Sequence, residues 1–297
     1  KALTRLWSKK NFYKKKLTEQ QNRYKLYNST SFNLEPDLKE SPGTLRDFHT
    51  ALWILQHCYE LKTINDIKNS NELNGIFLET VESYNFVKLL RFATNIISNK
   101  NRLDFETQIE ISKYAKLNQK TKKMSVEAMM RHFYENASVL SYFNEIVFEK
   151  FNEKKDIIFL KKVNGMYKDK NKIGIRNTNL DKKKQYIFEI FLQIGKTKKT
   201  TSIDTKTKSL IKSKLSLIDS NFRKDPLYAN QFKEILRSKY NLSSILKTMK
   251  NLGVLQAYIP EFSDVIGQMQ FDLFHVYTVD EHTFKVVRNM RQMLLYK

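Results

Sequence analysis

Turn-forming and cross-linking residues are scarce in this chain: one cysteine, four prolines and seven glycines serve 297 residues. The single thiol, Cys58, excludes an internal disulfide framework and fits a reducing compartment, so a cytoplasmic location is expected. Parallel α/β folds and β-sandwiches need many tight turns, and so few glycines and prolines favour long helices joined by polar loops. No apolar run approaches the roughly 18 residues of a membrane span, and no charged-then-apolar signal peptide opens the chain. No membrane association is therefore expected. The chain starts at Lys1 without a Met and ends at Lys297 within an apparent helix, which we read as a piece of something longer.

What is present is apolar material sufficient for a sizeable core, 41% of residues, and a formal charge of +22. The length gives a prior of about two domains. Lysines cluster at 9–16, 161–172 and 196–208, the last (GKTKKTTSIDTKTK) reading as a solvated loop. Because lysine, asparagine and isoleucine are enriched along the whole chain, a compositional bias accounts for the charge better than a dedicated nucleic-acid site. Charge of this kind speaks to partners and solubility rather than to fold.

Hydrophobic periodicity then places the helices. Residues 1–27 read as one or two basic amphipathic helices. Asn33–Leu38 reads as a short strand, confined to an edge by Pro36, and Ser41-Pro42-Gly43 as a turn. Thr44 with Asp47 resembles a capping pair opening a helix to about Lys62. Further helices are predicted over 72–97, 104–115 and 125–151, the last carrying a sustained stripe from Val126 to Phe151. His132 beside that stripe reads as a packed or hydrogen-bonded neighbour rather than a ligand. Residues 152–184 read as a linker with a small hairpin around 172–176, followed by helices over 186–194, 210–219 and 228–249.

The densest collection of chemically capable groups is Gly267–Phe284, GQMQFDLFHVYTVDEHTF, with His275, His282, Asp272, Asp280 and Glu281 in an aromatic-rich run. Together with NLEPDLKESPGTLRDFH (33–49), the segment IPEFSDVIGQMQFDLFHVYTVDEHT (259–283) resembles the bifunctional uridylyltransferase/uridylyl-removing enzyme family of bacterial nitrogen signalling. NRLDFETQIEI (101–111) and the helix from Val126 are similar to the family's helical segment between those motifs, so the resemblance spans essentially the whole chain.

The resemblance implies a mainly α chain. Residues 1–50 would be the last part of an α+β nucleotidyltransferase domain. A helical array or bundle would fill 51–264, with an internal division near 152–184, and 265–297 would begin an all-α HD phosphohydrolase domain. It implies transfer of UMP from UTP to a tyrosine of the PII signalling protein, hydrolytic removal of that group, and glutamine as effector. Mg²⁺ would serve the transferase and a divalent metal the HD site. The family's transferase holds Mg²⁺ with a Gly-Ser followed by an Asp-x-Asp pair, and neither occurs here. Glu35 or Asp37 would be the third carboxylate, with Lys39 and Arg46 as phosphate contacts; the family's second glycine after the proline is replaced by Thr44. His282 matches the first HD histidine and His275 is an auxiliary candidate, but no histidine follows His282, so the later His-Asp pair is missing. Neither centre is expected to assemble in this chain alone. The related glutamine synthetase adenylyltransferases lack an HD segment, which 267–283 argues against. A non-catalytic helical scaffold and a basic nucleic-acid-binding helical module are the alternatives.

Overall fold

In the computed structural model the described residues are 7–27, 30–70, 73–114, 122–151, 157–159, 165–176, 180–199, 202–269 and 277–295. They fall into two compact units, Lys1–Asn152 with Ile266–Glu281, and Glu153–Val265 with His282–Lys297.

The first unit is helical: α1 (Lys9–Leu26), α2 (Leu45–Cys58), α3 (Ile64–Lys68), α4 (Asn74–Ser98), α5 (Phe105–Tyr114) and α6 (Lys122–Phe151). The α6 helix is the axis, packing against α2, α4 and α5. Its described sequence contains no glycine or proline, and Val126, Met130, Phe133, Ala137, Leu140 and Val147 recur at helical spacing with no exposed surface. Each fully buried large side chain contributes about 1.5–3 kcal/mol relative to exposure, so this face supplies much of the unit's stability. His132, on the flank, is exposed, lies edge-on to Phe86 and sits 3.3 Å from Glu135.

The second unit joins helices to a small sheet. Strands β1 (Ile157–Phe159), β2 (Met166–Asp169) and β3 (Lys172–Ile175) are antiparallel neighbours, and β4 (Ser202–Ile203) adds parallel to β3. Its helices are α7 (Tyr186–Gly195), α8 (Thr205–Ser213), α9 (Ser220–Lys224), α10 (Pro226–Leu236), α11 (Leu242–Asn251), α12 (Val254–Tyr258) and α13 (Phe262–Val265). A last helix, α14 (Val279–Leu295), begins in the first unit and continues in the second. The core centres on α7, where Ile187, Phe188, Ile190 and Phe191 are wholly buried. Phe188 meets Phe222 and Tyr258 edge-on at 5.4 and 4.9 Å, while Phe222 stacks on Tyr228 at 3.6 Å.

The mainly helical class is as expected, but several local expectations are corrected. Asn33–Leu38 is not a strand; among the described residues it makes two isolated bridges, Asn33 to Tyr277 and Asp37 to Arg102. The hairpin expected around 172–176 forms between β2 and β3 across the two-residue turn Lys170-Asn171, with 172–175 as its second strand. The supposed loop 196–208 contains β4 and the start of α8, which Asp204 caps by accepting from Thr207 N at 3.0 Å. The helix expected over 210–219 begins earlier and closes at Ser213, with a 3₁₀ turn at Leu215–Leu217. The helix expected over 228–249 is two. It breaks before Asn241, whose φ of 62° is a left-handed conformation that asparagine tolerates better than most residues.

Candidate functional site

The segment 33–49 is built around Asp47, which has no exposed surface. The expected reciprocal cap of α2 does not form: Thr44 Oγ1 instead donates to Ser41 O at 2.6 Å. The Asp47 carboxylate is needed elsewhere. One oxygen accepts from Arg23 Nη2 at 2.5 Å; the other accepts from the Tyr24 hydroxyl at 2.6 Å and Gly43 N at 2.7 Å. Arg23 also donates to Glu40 O at 2.6 Å, while Asn144 of α6 donates to Asp47 O at 2.8 Å. A buried charge demands this degree of pairing. Burial, reinforced by the charge of Asp47, holds the Tyr24 hydroxyl well above the ordinary phenol value. The network ties α1, the Ser41–Gly43 turn, α2 and α6 together. Only spatial proximity reveals it, because its members come from four separate segments.

Around this network lie the four predicted N-terminal site residues. Glu35 pairs with Arg102 and accepts from Phe105 N at 3.0 Å, so both oxygens are engaged at the start of α5. Asp37 Oδ1 accepts from Lys39 N at 2.9 Å and Glu40 N at 2.7 Å, closing its own turn. Lys39 and Arg46 both reach Glu40: Lys39 Nζ at 3.6 Å, and Arg46 through Nη2 at 2.7 Å with Nε at 3.2 Å. Burial alone would raise the Glu40 carboxyl, but hydrogen bonding and charge from Arg46 leave it below its usual range. The Arg46 guanidinium also lies 5.8 Å from the Trp53 ring, which Lys16 faces at 4.5 Å. His49 beside them is held below its usual value by burial and by Arg46 and Arg91.

At the other motif, Tyr277 bridges to Asn33, and Tyr134 of α6 donates its hydroxyl to Asn33 O at 3.1 Å. The two stretches that carry the sequence signal, far apart along the chain, thus meet inside the first unit. Asp280 is fully buried and accepts from Gly267 N at 3.2 Å, while Glu281 is 2% exposed. Both occupy the first turn of α14, where helix N–H groups favour negative charge. His282 is exposed on the same helix; His275 lies outside the described residues.

These residues do not fit a metal centre as they stand. Glu35 has both oxygens committed and Asp37 one, and no group of three His, Cys, Asp or Glu able to hold an ion occurs among the described residues. A single imidazole binds a divalent ion too weakly to define a site.

Two family profiles match consecutive parts of the chain: GlnD PII-uridylyltransferase over residues 11–148, and the uridylyltransferase GlnD third domain over 167–258. Among curated relatives, the bifunctional uridylyltransferase/uridylyl-removing enzyme of Methylococcus capsulatus is 33% identical over 303 residues, covering 99% of this chain and 34% of that protein. Those of Hydrogenovibrio crunogenus and Nitrosococcus oceani are 32% and 30% identical, covering 99% and 100% of this chain and 34% of each relative. The chain spans about a third of the length of these relatives. No solved structure matches. With both profiles in family order and relatives aligned along nearly its whole length, the chain belongs to the GlnD PII-uridylyltransferase family.

Proposed function

We propose that the chain is the helical connecting portion of an enzyme that uridylylates and deuridylylates PII. Residues 1–50 would close the transferase domain, 51–264 form the connector, and 265–297 open the HD domain. The observation that carries this reading is the pair of family profiles in order along the chain. UTP would be the donor, Mg²⁺ the transferase metal, a second divalent ion the HD metal, and glutamine the effector, in the cytoplasm. No described helix is long and apolar enough to cross a membrane.

The role of the chain's own residues is positional. The Asp47 network fixes the 33–49 turn against α6, and α6 also holds Asn33 through Tyr134. Both Arg46 and Lys39 lie against Glu40, and a phosphate reaching Arg46 would compete with that carboxylate. The catalytic metal ligands would come from segments corresponding to the rest of the relatives, leaving this chain inactive alone.

Mass spectrometry of PII incubated with UTP and Mg²⁺ tests this. The chain alone leaves PII unmodified, while the full-length Methylococcus capsulatus enzyme adds a uridylyl group. A hybrid of that enzyme carrying this chain in place of its own matching third retains transfer. Uridylylation by the chain alone would overturn the incomplete-centre reading, and a folded but inactive hybrid would overturn the shared connector role.

A further inference from the structure

The second unit holds a cationic cavity that the family reading does not use. It is open, about 180 Å³, and is lined by Lys239, Ser243, Ser244, Arg288, Arg291 and Gln292 among others, with no acidic residue in its wall. Arg291 is anchored by donating to Ser238 O, whereas Arg288 is exposed and has no ion-pair partner among the described residues. At one side begins α11. Its preceding residue, Asn241, turns its side-chain amide to Ile194 O at 3.3 Å and Thr197 O at 3.0 Å and makes no side-chain cap of the helix.

We propose that this cavity is an anion site that takes one phosphate group, either free phosphate or the phosphate of a small ester. Two arginines and one lysine line the cavity with no carboxylate among its lining residues, and a guanidinium fork matches phosphate oxygens in geometry and charge. The Ser243 and Ser244 hydroxyls and the first N–H groups of α11 offer neutral donors as well. The volume limits the ligand: it is below the roughly 300–1,000 Å³ of pockets that enclose a whole drug-sized molecule. One phosphate fits, and the remainder of an ester extends into solvent.

The test is calorimetric titration of the intact chain with inorganic phosphate, and separately with uridine monophosphate, at constant ionic strength. Saturable binding at one site is expected, weakened at least tenfold by Arg288→Gln. Ser244→Asp abolishes it while leaving thermal stability intact, because an acid in the first turn of a helix is favourable. Lys9→Gln, an equal loss of charge in the other unit, leaves the affinity within twofold. Tighter binding of the ester assigns the site to a phosphorylated metabolite, and equal affinity assigns it to the free anion. Non-saturable uptake, or equal weakening by Arg288→Gln and Lys9→Gln, reduces the effect to diffuse attraction by a protein of net charge +22 and overturns the proposal.

Discussion

At the scale of single residues, the strongest dependence is on Asp47. Removing its carboxylate leaves Arg23 buried without its partner and Gly43 N and the Tyr24 hydroxyl without their acceptor. Breaking a buried pair from one side costs about 3–5 kcal/mol, so Asp47→Ala shifts the urea midpoint of the first unit sharply downward. Tyr24 adds a pH dependence whose sign is set by its raised folded pKa. Its contribution is present below the unfolded value near pH 10 and is lost progressively as pH rises above it. Tyr134, raised by burial and by Asp280, acts in the same direction. Tyr24→Phe therefore lowers stability at neutral pH by about 1.5–3 kcal/mol, as expected for a hydrogen bond to a charged group. It also makes the alkaline decline shallower; denaturation curves between pH 7 and 11 show whether it does. The pairing of Thr44 with Asp47 in sequence pointed to a local cap. Nothing local reveals that Arg23, Tyr24 and Gly43 compete for the same carboxylate and win it.

At the scale of elements, the Ser41–Gly43 turn and α6 constrain each other. Gly43 has φ of 75°, and a Cβ built there would stand 2.4 Å from Ala137 O on the α6 backbone. Both the left-handed conformation and the contact exclude a side chain, and the close approach is to protein backbone rather than to a ligand. Gly43→Ala is expected to cost more than the usual 1–2 kcal/mol of a left-handed substitution, because rigid backbone must move; thermal melting measures it. A loss under 1 kcal/mol would show that the turn yields freely. The long helices α4 and α6 were legible because uninterrupted apolar periodicity runs through them. The break between α10 and α11 was not, since 237–241 contains neither glycine nor proline and turns on one asparagine in a left-handed conformation. The sheet was hidden for a related reason: its strands are two to four residues long, too short for a period to register.

At the scale of the molecule, two units with separate hydrophobic cores share one chain that passes between them at 152/153, 265/266 and 281/282. Separate cores permit separate unfolding. Phe188→Ala, a large truncation in the second core worth about 3–5 kcal/mol, is expected to lower one calorimetric transition and leave another in place. A single transition that moves as a whole would show the units to be one cooperative block. Composition and periodicity were enough to establish the helical class and the long helices, because burial of apolar side chains at helical spacing is a local, repeated signal; the family came from the resemblance of particular motifs. The two family motifs were visible as well, but not their meeting through Asn33, Tyr277 and Tyr134, nor the capture of Asp47 by α1. Those depend on which groups are brought together once the helices pack. A buried charge or polar atom takes the partner nearest in space, and distance along the chain does not encode that.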